Sequence, residues 1–336
     1  MKSLLVVASL LAFAAVAGAQ SGGPYAPIVL LEPAGARTLG MGNVGVAGRD
    51  DDVLFYNPAQ LAIARGMSIS GERYSANAGG GTISAVTKLG PGAIAIGAQT
   101  VDYRSPTGAV VVAPGIGPAV LATFPADRAT SRIGGETVGS SSELTAGYGM
   151  TLKGFRLGGA AKYAVDELAA TRIESAAFDV GVSKDWMRYF SAALAVQNIG
   201  ATSHVPCVAL GGADGSCDVN ATPGAPSPIR FPVDLPLRTT LGIAASGPAG
   251  PLDLTATAAA SMYRADWISP AAGVEASYSW LDGYDVALRA GARRPLAGEG
   301  TLTAGAGFTA DRLSIDYALE TFTGRRVGHR FGLRIR

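Results

Sequence analysis

The chain has 336 residues, of which 46 are glycine and 16% are charged, and its formal net charge is +1. This balance, together with the lack of a basic patch, argues against nucleic acid as a partner. The mean hydropathy of +0.26 is high for a soluble protein, yet no apolar run after residue 19 reaches the length of a membrane-spanning helix. Two classes remain: a glycine-rich soluble all-β protein, or a barrel whose strands turn one apolar face to lipid.

The first nineteen residues predict a secretory signal peptide. Lys2 supplies a positive charge, residues 4–16 form a short apolar core, and Ala17 and Ala19 occupy the small-residue positions of a cleavage site. We expect cleavage after Ala19, so the mature protein would be exported. The next residue is Gln20 rather than a cysteine, which disfavours a lipoprotein.

Residues 20–65 lack the alternation of a lipid-facing strand. Gly40, Gly42 and Gly45 have the GxGxxG spacing of dinucleotide-binding loops, but the sequence around them predicts no βαβ unit. Glycines that let this backbone pack tightly are the better interpretation. The carboxylates of Asp50–Asp52 could suggest a cation site, but consecutive carboxylates rarely converge on one ion. We therefore expect a solvated turn there and no metal.

A short helix is predicted to begin at Asn57. Asparagine is a favoured N-cap residue, and Pro58 suits the first helical position. Because a wide, unobstructed barrel would leak, we expect residues 20–65 to form a hatch in the periplasmic half of the lumen. The candidate structural or gating residues of this hatch are Gly40, Gly42, Asn57, Pro58 and Ala59.

From residue 66 onward the sequence alternates with the period of two that β-strands have. In residues 313–320 the four odd-numbered positions, which are Leu, Ile, Tyr and Leu, share one face. The opposite faces carry small, polar and charged residues, which suits a crowded polar lumen. The apolar faces carry aromatic residues near strand ends, as an interfacial girdle would, and examples are Tyr163, Tyr278, Trp280 and Phe331. We therefore assign the apolar faces to lipid.

Connection lengths support the same assignment. About fourteen strands are predicted, beginning near residues 66, 82, 93, 143, 155, 174, 190, 237, 252, 271, 284, 301, 313 and 327. Every second connection is short, whereas both long stretches, about 104–142 and 200–236, fall on the opposite side, as the outer loops of outer-membrane barrels do. The predicted fold is all-β: a closed antiparallel transmembrane barrel over residues 66–336, surrounded by the lipid of a bacterial outer membrane.

Two cysteines, Cys207 and Cys217, lie in the second long stretch. In an exported protein such a pair predicts a disulfide that staples a loop. A metal site would need more ligands than the nearby His204 supplies.

Catalysis finds little support. His329 falls in the lipid-facing register of the last strand, and no Ser, His and acid form a recognisable set. Several charges fall in the lumen register, and a barrel interior satisfies such groups with one another. A packing network is therefore predicted for Arg289, Asp316, Glu320, Arg330 and Arg334.

The block Gly35–Gly42, followed by acidic Asp50–Asp52 and then by Tyr56–Ala59, resembles the N-terminus of PorV-type outer-membrane proteins. Those proteins belong with the FadL long-chain fatty-acid transporters, whose plug also carries an Asn-Pro-Ala element. Gln60 stands where Gly is common in the family. Further pieces resemble the same group and extend the match over most of the mature chain, namely residues 177–181, 196–200, 235–238 and 313–331.

The resemblance implies a fourteen-stranded barrel with an N-terminal hatch, and we expect neither a cofactor nor enzymatic activity. FadL-like members pass hydrophobic molecules through a lumen pocket and out by a lateral opening, and this function is the one we expect. PorV-like members instead escort proteins of type IX secretion, which makes a secreted protein the alternative partner. Outer-membrane assembly machinery is a partner in either case. A soluble secreted all-β structural protein is the second alternative.

Overall fold

The protein is described by a computed structural model over residues 27–75, 78–105, 132–133, 136–168, 171–186, 189–206, 230–263, 267–294, 299–322 and 326–336. The predicted signal peptide and both cysteines, Cys207 and Cys217, lie outside these residues. Signal cleavage and the disulfide therefore stay predictions.

Fourteen antiparallel strands form one closed barrel. They are β1 (Gly66–Ser75), β2 (Ala78–Leu89), β3 (Gly92–Ser105), β5 (Glu136–Leu152), β6 (Phe155–Leu168), β7 (Thr171–Trp186), β8 (Phe190–Gly200), β11 (Arg238–Ala249), β12 (Leu252–Tyr263), β13 (Trp267–Leu281), β14 (Tyr284–Arg293), β15 (Glu299–Ala310), β16 (Leu313–Phe322) and β17 (Val327–Ile335). Three short strands lie outside the barrel wall: β4 (Arg132–Ile133) pairs with β5, while β9 (Ser203–Pro206) pairs with β10 (Arg230–Val233).

The barrel closes where its last strand meets its first. Met67 of β1 pairs with Ile335 of β17, and the register continues to Arg73 and His329. Each other barrel strand pairs with the next along the chain, with β3 joined to β5 and β8 to β11 across the long connections. The predicted count of fourteen and the antiparallel barrel are confirmed.

The two ends of the barrel differ. One end, here called the short-turn end, carries tight turns such as Lys153-Gly154 and Asp282-Gly283, and both chain termini of the barrel lie there. At the other, long-loop end, β3 ends at Ser105 and β5 begins only at Glu136, and β8 ends at Gly200 and β11 begins only at Arg238. The predicted distribution of short and long connections is therefore correct.

The outer face of the barrel is apolar. Every barrel strand exposes at least one large hydrophobic side chain, and Leu288 on β14 is 70% exposed. The charged residues predicted for the lumen face inward, and Arg330 is only 1% exposed. A soluble protein shows the reverse arrangement, so the soluble alternative is wrong. The outer-membrane location that we predicted agrees with this surface.

Aromatic side chains gather on the outer face close to the short-turn end. The exposed members of this girdle are Phe155, Trp186, Phe190, Trp280, Tyr284 and Phe308. Trp280 stacks on Phe308 with ring centroids 6.2 Å apart. Amphipathic rings in such a belt lie at the level of lipid headgroups, which fixes the height of the barrel in the bilayer.

No helix in the described part of the chain is both long and apolar enough to cross a membrane. The helices that are present are short and lie inside the barrel, in residues 27–65, which we call the inner segment. They are η1 (Ile28–Leu31), α1 (Ala36–Gly40), η2 (Asp51–Phe55) and η3 (Pro58–Ala62), of which all but α1 are 3₁₀ helices.

Two expectations for the inner segment need correction. Asp50 and Asp52 are not in a solvated turn, since they are 8% and 5% exposed. The segment also reaches beyond the short-turn half, because η1 packs against Tyr74 and Val101 near the long-loop ends of β1 and β3. It therefore fills much of the barrel's height.

Candidate functional site

The inner segment fills the lumen near the short-turn end with a cluster of apolar side chains, which we call the apolar wedge. Val53, Leu54 and Leu61 have no exposed surface, and they pack against small wall residues that include Ala93 and Ala95 of β3. The wall offers mainly small side chains at this height, so the bulk comes from η2 and η3. This burial of apolar surface is what holds the segment in place.

The predicted helix start at Asn57 is present. Its Oδ1 accepts a hydrogen bond of 3.0 Å from the Ala59 backbone N–H, and its Nδ2 donates to the Val46 carbonyl at 2.8 Å. Pro58 takes the first position of η3. Gln60, the departure from the family pattern, is fully buried and accepts a hydrogen bond of 3.3 Å from the Ser183 hydroxyl. Hydrogen bonds thus connect this turn both to the rest of the inner segment and to the barrel wall.

Wall glycines make room for this turn. A Cβ on Gly181 would overlap Asn57 Oδ1, and a Cβ on Gly158 would overlap the Pro58 carbonyl. The neighbouring Gly159 faces outward, where its nearest atom would be 3.7 Å away. Glycine at these two inward-facing positions therefore allows close contact between wall and inner segment.

These two adjacent glycines allow a matched test. We expect Gly158→Ala to destabilise the folded protein by about 1–3 kcal/mol, because the added methyl group overpacks a tight contact with backbone. Gly159→Ala should be neutral within about 0.5 kcal/mol. The free energy of unfolding in urea, measured in lipid vesicles, gives both values. Equal effects would show that the inner segment does not rest on β6.

The glycine motif packs closely against the opposite wall. Gly42 has a φ of +76°, a conformation that favours glycine, and its N–H donates to Thr303 Oγ1 at 2.9 Å. A Cβ on Gly40 would lie 3.2 Å from the Cα of Gly305. Tight packing, rather than nucleotide binding, thus accounts for Gly40 and Gly42.

A closed ring of alternating charges joins the inner segment to β13, β14, β16 and β17. The ring runs Asp50, Arg37, Glu275, Arg289, Asp316, Arg334 and back to Asp50, with N–O distances of 2.5 to 2.8 Å. Each member meets two partners of opposite sign, so the ring is neutral. Buried charges are tolerated in this arrangement, whereas removal of one member would leave uncompensated charge.

The charge on Asp50 is firmly held. Burial alone would raise the pKa of its carboxyl, but Arg37, Arg334 and Arg336 more than offset this and hold the pKa well below its ordinary range. A carboxylate with a lowered pKa contributes stability above its unfolded pKa of about 3.9 and loses it only under stronger acid. The ion pairs of Asp50 with Arg37 and Arg334 should therefore persist at neutral and mildly acidic pH.

Further polar groups in the lumen are also paired. Lys162 lies 3.1 Å from Asp179, Arg293 lies 2.6 Å from Glu320, and Arg330 is paired with Glu72. These pairs and the ring form the predicted packing network.

Burial raises the pKa of Tyr56 to about 12. The phenol therefore stays protonated, donates to Asn43 Oδ1 at 2.6 Å and accepts from the Ala34 N–H at 2.9 Å. Both bonds fix the fold of the inner segment on itself.

The residues weighed for metal or catalytic chemistry do not converge. His329 lies on the outer face, where its Nδ1 is 2.8 Å from the Tyr317 hydroxyl, and His204 lies in β9 at the long-loop end. Within the described ranges, no group of three or more His, Cys, Asp or Glu residues could hold a metal ion.

An apolar cluster lies in the lumen toward the long-loop end. η1 contributes Ile28, Val29 and Leu30, and the surrounding wall and loop base contribute Tyr74, Val101, Ala164, Ala177 and Leu235. Neither this cluster nor the roles of Arg37 and Glu275 were predicted from the sequence. The one available signal was the four-residue apolar run of η1 in a glycine-rich segment.

Each of the fourteen wall strands pairs with two neighbours. The ladder of β7 and β8 carries a bulge between Phe178 and Val180, and Asn198 opposite it has a φ of +60°. Asn198 is held there by its N–H bond to Asp179 and its Nδ2 bond to the Pro236 carbonyl. Residues 171–176 of β7 lie beyond this ladder and, among the described strands, pair with β6 alone.

No protein-family model and no curated protein matches the chain, but solved structures do. The toluene transporter TodX of Pseudomonas putida matches with a TM-score of 0.52 and 10% identity, over 94% of this chain and 98% of that one. A FadL homologue of Pseudomonas aeruginosa matches with a TM-score of 0.53 and 13% identity, over 93% and 99%. This chain has the fold of the FadL-type barrels.

The monoaromatic hydrocarbon channel CymD gives a similar match, with a TM-score of 0.54 and 10% identity over 90% of this chain and 97% of that one. At such identities the likeness concerns the fold. It agrees with the predicted FadL-like barrel. The PorV-like part of the predicted resemblance gains no support from these neighbours.

Proposed function

We propose that this protein lets small hydrophobic molecules cross the outer membrane, and that its inner segment is the hatch that closes the passage. The observation that carries the proposal is a transmembrane barrel whose lumen is filled by its own N-terminal segment. The apolar cluster around η1 would receive the molecule on the long-loop side, which we take as the outer side because short turns are periplasmic in such barrels.

The neighbours support this class of function. TodX is named a toluene transporter and CymD a monoaromatic hydrocarbon channel, and both share the fold over nearly their whole length. We infer that this chain is a transport protein rather than an enzyme. No feature of the described residues specifically favours a role in type IX secretion, so we do not propose it.

Passage requires the hatch to move, since the wedge and the charge ring leave little free space. A disulfide between inner segment and wall tests this requirement. A Cβ on Gly332 would lie 3.3 Å from the Cβ of Ala36, close to the separation of about 3.5–4.5 Å in disulfides. Ala36→Cys with Gly332→Cys, in a chain whose Cys207 and Cys217 are replaced by serine, would lock the hatch.

Uptake should be measured in whole cells, because hydrophobic molecules cross a plain phospholipid bilayer unaided. The probe is N-phenyl-1-naphthylamine, which fluoresces on entering the cell envelope. We expect the oxidised lock to lower the uptake rate to that of cells without the protein, and reduction to restore it. Thr309→Cys with Ser314→Cys is the control, because these hydroxyls lie 3.2 Å apart within the wall and a bond there leaves the hatch free.

Two results would oppose the proposal. Fast uptake through the oxidised lock would mean that the hatch does not close the passage. Uptake no faster than in cells without the protein, in both redox states, would contradict transport of hydrophobic molecules.

A further inference from the structure

The site of η1 has the form of an occupied binding pocket. The side chains of Ile28, Val29 and Leu30 are each at most 5% exposed, and they fill a space lined by Tyr74, Val101, Ala164, Ala177 and Leu235. Leu235 belongs to the base of the second long loop, whereas the other four lie on barrel strands. The chain's own apolar peptide thus lies where a ligand entering from the long-loop end would arrive.

The wall meets this peptide with hydrogen-bond acceptors. The Val29 N–H donates to Ser141 Oγ at 3.1 Å, and Asp166 accepts hydrogen bonds from the Ser141 hydroxyl and from the Ile28 N–H. The pocket therefore contacts the apolar side chains of the peptide, while Ser141 of β5 and Asp166 of β6 accept hydrogen bonds from two of its N–H groups.

Acceptor capacity remains unused there. Asp166 is 9% exposed and Glu143 is 4% exposed, and among the described residues Asp166 Oδ1 and Glu143 Oε2 have no hydrogen-bond partner. Glu143 pairs across the ladder with Ala164 of the pocket. Buried acceptors without partners are unfavourable, so a ligand that supplies donors would be stabilised.

The charge balance excludes one kind of ligand. The cations that act on Glu143 are Lys162, which is already paired with Asp179 at 3.1 Å, and Arg238, whose guanidinium donates to Gln197 Oε1. Among the described residues, no cation forms an ion pair with the carboxyl group of Asp166 or of Glu143. A carboxylate ligand would lose its hydration there without gaining a cation in direct contact.

We propose that η1 occupies a binding site for molecules with an apolar body and a hydrogen-bond-donating, uncharged or cationic end, and that fatty-acid anions are discriminated against. This inference rests on the proposed function and names its ligand class. Asp166, Ser141 and Glu143 determine the specificity, and η1 holds the site when no ligand is present.

The test compares 1-decanol with decanoate, which share a chain length and differ at the polar end. Binding to the full-length protein in detergent micelles is measured by calorimetry at neutral pH, below the concentrations at which either compound aggregates. We expect decanol to bind at least about tenfold more tightly than decanoate. Decanoate binding as tightly as decanol would overturn the inference while leaving hydrophobic transport intact. Binding of neither compound would contradict the proposed function as well.

Variants then assign the preference to residues. Asp166→Asn with Glu143→Gln should reduce the difference between the ligands to about threefold or less, since the new amide groups supply N–H donors that a carboxylate can accept. Asp102→Asn is the matched control, because Asp102 lies at the same end of the barrel and is exposed on the outer face. A preference unchanged in the double variant would refute the assignment. The wild-type comparison decides the ligand class even where that variant fails to fold.

Val29→Ser tests the competition with η1. A weaker η1 leaves the pocket empty more often, so both ligands should bind more tightly with their ratio unchanged. Weaker binding of both would show that η1 helps to form the site rather than filling it.

Discussion

Replacing Leu288 by arginine is expected to prevent most of the protein from assembling in the membrane. Among the described residues, Leu288 is the most exposed large hydrophobic side chain, at 70%, and it lies in the middle of β14. A charge on the lipid face near the bilayer midplane costs about 2–4 kcal/mol. Folded barrels resist SDS until heated, so the folded fraction in isolated membranes can be read from electrophoretic mobility.

The adjacent residue is the control. Ala287 faces the lumen and is 4% exposed, and Ala287→Ser adds one hydroxyl group among polar neighbours. Its folded fraction should equal that of the unmodified protein. Equal loss in both variants, or in neither, would mean that inner and outer faces are wrongly assigned.

The barrel wall could be predicted because its signal is local. Alternation in residues 313–320 places Ile315 outward and Asp316 inward, and the structure does the same, with exposures of 49% and 2%. The strands β1, β6 and β17 begin at the predicted residues. Turn length and the two-residue repeat are both readable within a window of about ten residues.

The interior could not be predicted in this way because its contacts are distant along the chain. Asp50 begins a run of three aspartates and was expected in solvent, yet it pairs with Arg334, 284 positions later. Arg37 and Glu275 are 238 positions apart. Local sequence shows that such residues are charged, but only barrel closure brings their partners to them.

The Asn57–Pro58 turn could be predicted only in part. Its capping bond spans two residues and was predicted from residue preferences. Its place in the lumen depends on Gly149, Gly158 and Gly181 of three different strands. A glycine at any one of them is uninformative alone, because glycine is common throughout the chain.

Deleting residues 28–62 is expected to turn a closed barrel into an open, water-filled pore. The deletion removes η1, α1, η2 and η3 with the apolar wedge, and it leaves the fourteen paired strands intact. A barrel of this strand number is wider than its own wall side chains can fill. Loss of Arg37 and Asp50 leaves Glu275, Arg289, Asp316 and Arg334 as two pairs of opposite charge, which can face water in the opened lumen.

Single-channel conductance in planar bilayers tests the closure of the lumen most directly. The intact protein should show no steady ionic conductance, and the deletion variant, shown by its mobility to be folded, should conduct as a porin does. A folded deletion variant that conducts no better than the intact protein would contradict the account, and so would an intact protein that already conducts like a porin.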